Sequence, residues 1–222
     1  LFLDIETVPQ VSNFAELSEA EQKLWDKKTQ RQREEEVSAE DFYGERAGIM
    51  AEFGKIICIS VGMYEKNETL KIKTFAHDDE KKLLEEFGEI FNSSRLRDVI
   101  LCAHNGKEFD FPWIARRFLI SGMQPPIPFQ MFGKKPWEIP HLDTMELWKF
   151  GDWKSFISLE LMAHIFGVPT PKDDIDGSMV ASIYYIEKDL PRIVKYCEKD
   201  VLTLANVFRK LRQEELLKRF ND

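Results

Sequence analysis

Apolar and polar positions at the start of the chain separate two faces. Leu1, Leu3 and Ile5 fall on one side of an extended segment, and Asp4 and Glu6 fall on the other, because successive strand side chains point to opposite faces. Val8 and Pro9 end that run. Residues 14–36 are mostly good helix formers, with Ser12 or Asn13 placed to cap them. Residues 38–50 read as a further short helix or loop, and the whole stretch of about 10–50 reads as a helical insertion into one domain spanning 1–222. Residues 55–64 are a nearly continuous, β-branched strand. After a turn at 65–68, residues 69–76 alternate apolar with basic or polar side chains and complete a hairpin. Residues 78–91 carry Leu83, Leu84, Phe87, Ile90 and Phe91 on one helical stripe. Residues 99–103 are wholly apolar and suit the centre of a sheet.

Beyond that strand, Gly106 eases a tight turn, and a helix follows that ends at Gly122. This strand-turn-helix puts Asn105 and Asp110 at the carboxyl end of a strand, where open α/β sheets keep their sites. Residues 125–140 form a proline- and aromatic-rich ordered loop, whose Lys134 and Lys135 read as solvated, with phosphate contact as the alternative. Residues 141–145 give a short last strand, and 158–166 a helix closed by Gly167. The polar loop 169–177 carries Asp173, Asp174 and Asp176, but not at the spacing of a calcium-binding loop. From about 190 to 220 one long helix is expected, with Pro191 in its first turn. Ile193, Val194, Cys197, Val201, Leu204 and Phe208 form its apolar stripe, while Tyr196 and Asp200, four apart, are neighbours on one face. The charged run 31–36 reads as a solvated helical face.

Asp4 and Glu6 raise a question of charge. Two adjacent carboxylates repel each other and lose solvation unless something compensates. A divalent cation does so economically, since hard ions take carboxylate oxygens. The alternative is a strand end with two surface acids, and an Asp-x-Glu spacing does not choose between them. The net charge of -8 argues against a protein that coats nucleic acid by bulk phosphate attraction. It leaves room for an enzyme that grips a strand end through metal ions. No apolar run is long enough for a membrane helix, and the acidic start does not resemble a signal peptide. Three cysteines without metal-ligand spacing point to reduced thiols and a cytoplasmic location.

Three segments then carry a resemblance. Asp4-Ile5-Glu6-Thr7, Asn105-Gly106-Lys107-Glu108-Phe109-Asp110 and Tyr196-Cys197-Glu198-Lys199-Asp200 resemble, in order, the three exonuclease motifs of the DEDD superfamily, Tyr subtype. The likeness is to a stand-alone form of the proofreading exonuclease domain of family B DNA polymerases, and it spans nearly the whole chain. It implies an α/β, ribonuclease H-like fold: a mixed five-stranded sheet with helices on both faces. It also implies that Asp4, Glu6, Asp110 and Asp200 are catalytic and hold two divalent cations, Mg²⁺ or Mn²⁺. Asp4 would serve both ions, Glu6 and Asp200 the one with the attacking water, and Asp110 the other. A phenol with an ordinary pKa of about 10 is protonated at neutral pH, so catalytic Tyr196 is expected to orient that water rather than act as a free base. The alternative for Tyr196 is an amphipathic aromatic packed at a helix face.

By the same resemblance, Thr7, Asn105 and Phe109 are substrate-binding candidates near the 3′ end, with core packing the favoured reading of Phe109. Asp143 is either a supporting acid or a hydrogen-bonded structural one, Lys172 a phosphate contact, and His104 has no role in a Tyr-type site. The expected activity is 3′-5′ hydrolysis of DNA, single-stranded at its end, to nucleoside monophosphates. The alternatives are an exoribonuclease, since only contacts to the 2′ hydroxyl separate the substrates, and a non-catalytic nucleic-acid-binding module, which would need a basic surface. The expected partner is nucleic acid with a free 3′ end, DNA before RNA, and no membrane. A proofreading role would need a polymerase or repair partner on a separate chain.

Overall fold

The computed structural model describes residues 1–65, 69–152, 154–169, 175–217 and, for the backbone, 219–220. Its centre is β1 (Phe2–Pro9). On one side β1 pairs antiparallel with β2 (Gly54–Tyr64), and β2 pairs antiparallel with β3 (Thr69–Ala76). On the other side β1 runs parallel to β4 (Cys102–Ala103), and β4 parallel to β5 (Leu142–Asp143). These are the five strands of the mixed sheet. A two-residue β6 (Arg219–Phe220) adds a parallel edge beyond β3, giving the order β5-β4-β1-β2-β3-β6.

Helices cover both faces. Leu3 and Ile5 of β1 face Leu83, Leu84 and Phe87 of α3 (Glu80–Glu89) and Phe111, Ile114 and Phe118 of α4 (Asp110–Ile120) in the largest apolar cluster. The opposite face, with Phe2, Val8 and Cys58, packs against Ile193, Cys197, Val201 and Leu204 of α8 (Leu190–Leu211). Gly62 of β2 allows the close approach of α8, since a Cβ there would lie 2.7 Å from Cγ1 of Val201. In the chain between α4 and α8 come α5 (Thr144–Lys149) and α6 (Leu159–Phe166), both packed on α8, and the short α7 (Val180–Ser182), packed on β1 and continuing as a π-turn over Ile183–Glu187.

Several expectations shift. β1 includes both Val8 and Pro9, the residues expected to end it, and Pro9 lies opposite Gly54. Proline is tolerated at a strand end, where its missing N–H costs little. The helix expected over 14–36 breaks into a 3-10 turn (Phe14–Glu16) and α1 (Glu19–Thr29). Ser18 and Glu21 form a reciprocal capping box that fixes the start of α1. Past Thr29 the run 31–36 has no apolar side chain to bury, and propensity alone rarely holds a helix. α2 (Ala39–Arg46) starts on Ser38, and Trp25, Tyr43, Ala47 and Phe53 bury one another in a satellite core.

The last helix ends at Leu211, not near 220, and Gln213 takes a positive φ just beyond. The last strand is only Leu142–Asp143, because Asp143 caps α5 with bonds from the N–H groups of Met145 and Glu146. α7 and its π-turn carried no sequence expectation. Lys172, Asp173 and Asp174 lie outside the described residues.

Candidate functional site

The site grows from the α8-facing side of β1, where Asp4 and Glu6 project. The partner of Glu6 is Cys58 and that of Thr7 is Ile56, so β2 carries one extra residue just past the acids. Such a bulge sharpens local twist. Thr7 then donates its hydroxyl to the Gly48 carbonyl at 2.6 Å, tying the strand end to the segment before β2.

Two helices bring the remaining acids. α4 begins on Asp110, which is 4% exposed. β4 stops at Ala103, and beyond it the Asp110 carboxylate accepts the N–H of Ile5. α8 brings Tyr196, Cys197 and Asp200, and the Tyr196 hydroxyl hydrogen-bonds to Asp200. Sγ of Cys197 sits 3.3 Å from Oδ2 of Asp4 and 3.5 Å from its backbone carbonyl.

Electrostatics follow from that crowding. Burial pushes the Asp4 carboxyl well above the usual carboxylate range, and Glu6, Asp200 and Asp110 push it further, while the Cys197 thiol acts in the opposite direction. Burial does the same to Glu6, joined by Asp200, Cys58 and Asp110. Asp110 is pushed up to about 7, first by burial, against the pull of backbone N–H bonds. Burial, followed by the charges of Asp200, Glu6 and Asp4, holds the Tyr196 phenol protonated. Asp110 and Asp200 thus both act on Asp4 and on Glu6, and Asp143 acts on Asp110.

Their chemistry suits a hard cation. Oxygens of Asp4 and Glu6 and the sulfur of Cys197 lie within 4.8 Å of one another. Burial raises the Cys197 thiol well above its usual range, so it stays protonated and donates to Asp4. What is left for an ion is carboxylate oxygen, the donor type of Mg²⁺ and Mn²⁺.

The substrate-binding candidates each have an internal partner. Asn105 adopts a left-handed backbone (φ 60°) and donates its N–H to Oδ1 of Asp143 at 2.9 Å. The tight turn is thus made by Asn105, not by Gly106 as expected. Gly106 is needed for space, since a Cβ there would lie 2.3 Å from that of Ala103. Phe109 packs on the main core, its ring 5.8 Å from Trp113. Asp143 is hydrogen-bonded, accepting the Lys107 N–H at 3.1 Å besides that of Asn105, and its charge also raises the Asp110 carboxyl.

His104, for which no catalytic role was expected, has a structural one that sequence reasoning did not foresee. Both its ring nitrogens are engaged, Nδ1 with the Thr144 hydroxyl at 2.9 Å and Nε2 with the Ile157 carbonyl at 2.8 Å. It ties the loop after α5 to the end of β4. Its place directly before Asn105 was the only signal.

The RNase_H superfamily model matches residues 41–212. The chain belongs to the RNase_H superfamily. The matched span holds Asp110, Tyr196 and Asp200 and begins after Asp4 and Glu6. Among solved structures, the chain is similar to the family B DNA polymerase from the hyperthermophilic archaeon Pyrobaculum calidifontis, with a TM-score of 0.53 and 13% identity. That likeness covers 95% of this chain and 24% of the polymerase, and at this identity it speaks for the fold. A search of curated proteins returns no match. RNase H-like nucleases act on nucleic acid and generally use divalent metals, and an acidic cluster of the kind they use is present here. No helix among the described residues is long and apolar enough to cross a membrane.

Proposed function

We propose that this RNase_H-superfamily chain is a metal-dependent 3′-5′ exonuclease of the DEDD superfamily, Tyr subtype. It would remove nucleoside monophosphates from the 3′ end of single-stranded DNA. The observation that carries the reading is the convergence of Asp4, Glu6, Asp110 and Asp200 from β1, α4 and α8, with Tyr196 hydrogen-bonded to Asp200. Four mutually repelling acids are costly unless cations join them.

Asp4, Glu6, Asp110 and Asp200 would hold two divalent ions, Mg²⁺ or Mn²⁺, which when bound neutralise the acids and stabilise charge developing on a phosphodiester. The chain's own groups do the rest. Tyr196, held protonated, orients a water through its hydroxyl. Cys197 fixes the Asp4 carboxylate through its thiol. Asp143 holds the Asn105 turn beside Asp110, where the 3′-terminal nucleotide would lie against Asn105, Thr7 and Phe109. RNA remains the competing substrate, because the same acids serve either backbone.

The test is digestion of a 5′-labelled single-stranded DNA with Mg²⁺ or Mn²⁺, beside a chelator and the variant Asp4→Ala. A ladder that descends from the 3′ end, and that both controls abolish, supports the reading. Intact DNA and RNA oligomers with either metal, from folded protein, would sink it.

A further inference from the structure

The loop after α5 has no part in the carboxylate cluster, yet it is built in an unusual way. α5 ends on Phe150, which takes a left-handed backbone (φ 44°) and leaves its ring 87% exposed. Helices that end this way favour Gly or Asn at the left-handed position, and here the next residue, Gly151, is also at positive φ. Six residues on, Phe156 is 68% exposed, and Nζ of Lys149 lies 4.5 Å from the centre of its ring. Lys154 is exposed between them, and the carboxylate of Asp152 accepts the Lys154 backbone N–H at 3.0 Å. Both aromatic residues are exposed, with Lys149 against the ring of Phe156.

The loop's position gives the pattern meaning. Its far end is held by His104 through the Ile157 carbonyl, and its near end by the Lys107–Glu146 ion pair at 2.7 Å. His104 lies two residues past Cys102, and Asp4 two past Phe2, the pair that aligns β4 with β1. Cys102 and Phe2 share the α8-facing cluster, and His104 follows β4 directly, so the loop is held at the end of the strand next to β1.

We propose that Phe150 and Phe156, with Lys149 and Lys154, form a stacking platform for unpaired bases of the strand that feeds the carboxylate site. This rests on the nuclease reading and deepens it, because a platform of ring faces accepts separated bases and not a duplex. Ring faces hold bases regardless of sequence, and lysines follow the phosphates between them. A duplex keeps its bases stacked inside, so the platform selects single strands.

The experiment compares wild type with Phe150→Asn, Phe156→Ala and the double variant. Asn suits the left-handed backbone and removes only the ring. Phe150→Trp serves as the ring-retaining control. Binding of a fluorescent oligothymidylate to each protein in chelator is read by anisotropy. Turnover of the p-nitrophenyl ester of thymidine 5′-monophosphate with Mn²⁺ is read in parallel, since that substrate has no flanking nucleotides for a platform to hold.

Each single loss is expected to weaken oligomer binding roughly five- to a hundredfold. Ester turnover should stay at the wild-type level, and Phe150→Trp should bind like wild type. Unchanged oligomer binding in the folded double variant overturns the platform and leaves the nuclease reading intact. Ester turnover that falls as far as binding also overturns it, since the loop would then act by shaping the site. Ring-dependent binding with no hydrolysis of any substrate by wild type supports the platform and removes the nuclease reading.

Discussion

The two faces of β1 use the same few residues to opposite ends. On one face Leu3 and Ile5 disappear into the core beneath α3 and α4. On the other, Asp4 and Glu6 are buried beside Asp110 and Asp200, which raise the proton affinity of both. Burial stabilises the first set and destabilises the second, although both are enclosed. The strand can hold its acids in so unfavourable a setting because its other face is anchored so firmly. The acid face is therefore where cation binding should show most clearly, both in activity and in stability.

The comparison breaks hardest at Asp4. Asp4→Asn is expected to lower turnover of a single-stranded 3′ end by about a thousandfold or more, while raising the unfolding temperature of the metal-free protein by relieving repulsion. Activity within tenfold of wild type would remove Asp4 from the centre of the site. Leu3→Ala should do the reverse. Leu3 is 0% exposed, and truncating such a side chain costs about 2–5 kcal/mol, read by urea denaturation. A loss below about 1 kcal/mol would show that the packed face does not anchor the strand.

A third consequence lies in pH. The Asp110 carboxyl moves from 3.8 to about 7 on folding. Between those values the folded state holds a proton that the unfolded chain has released. Stability from this group is thus full below about pH 4 and is lost as pH rises through about 7. Asp4 and Glu6, raised well above their ordinary values, slope the same way. In chelator the folding stability should therefore fall from pH 4 to pH 7, by an amount on the order of a few kcal/mol. Mg²⁺ should flatten the slope, and Asp110→Asn should reduce it. A flat profile in chelator would mean that the acids are compensated without cations.

How much of this was legible in the sequence depended on distance along the chain. Asp4 with Glu6 and Tyr196 with Asp200 follow from strand and helix periods, which are local rules. The mixed sheet with helices on both faces followed from the motif resemblance. The tethers did not emerge, because Cys197 with Asp4, His104 with Ile157 and Asp143 with Asn105 join positions far apart in the chain. The insertion was misjudged for another reason. Residues 14–36 favour helix by composition, but only the stretch from Ser18 that buries Trp25 has both a cap and a core to pack on. The left-handed Phe150 contradicts local preference, so no local rule would have placed it.

The smallest expected effect belongs to Tyr196, which stands where the two faces of the comparison meet, half buried against apolar side chains and bonded to an acid. Its phenol is kept protonated by burial and by the neighbouring carboxylates, so it has a proton to donate and none to accept near neutral pH. Tyr196→Phe keeps the ring in place and removes only the hydroxyl. Stability should hold within about 1 kcal/mol, the size of one lost hydrogen bond. Turnover should fall about ten- to a hundredfold, at the lower end of what a positioned proton-bearing group contributes. The shape of the pH–rate profile then separates two roles. If the hydroxyl orients water, the alkaline limb is the same in wild type and Tyr196→Phe, because the phenol does not titrate there. Loss of that limb in the variant, with a larger drop in rate, would make Tyr196 a phenolate base and would require the surrounding acids to be neutralised far more completely than four carboxylates alone permit.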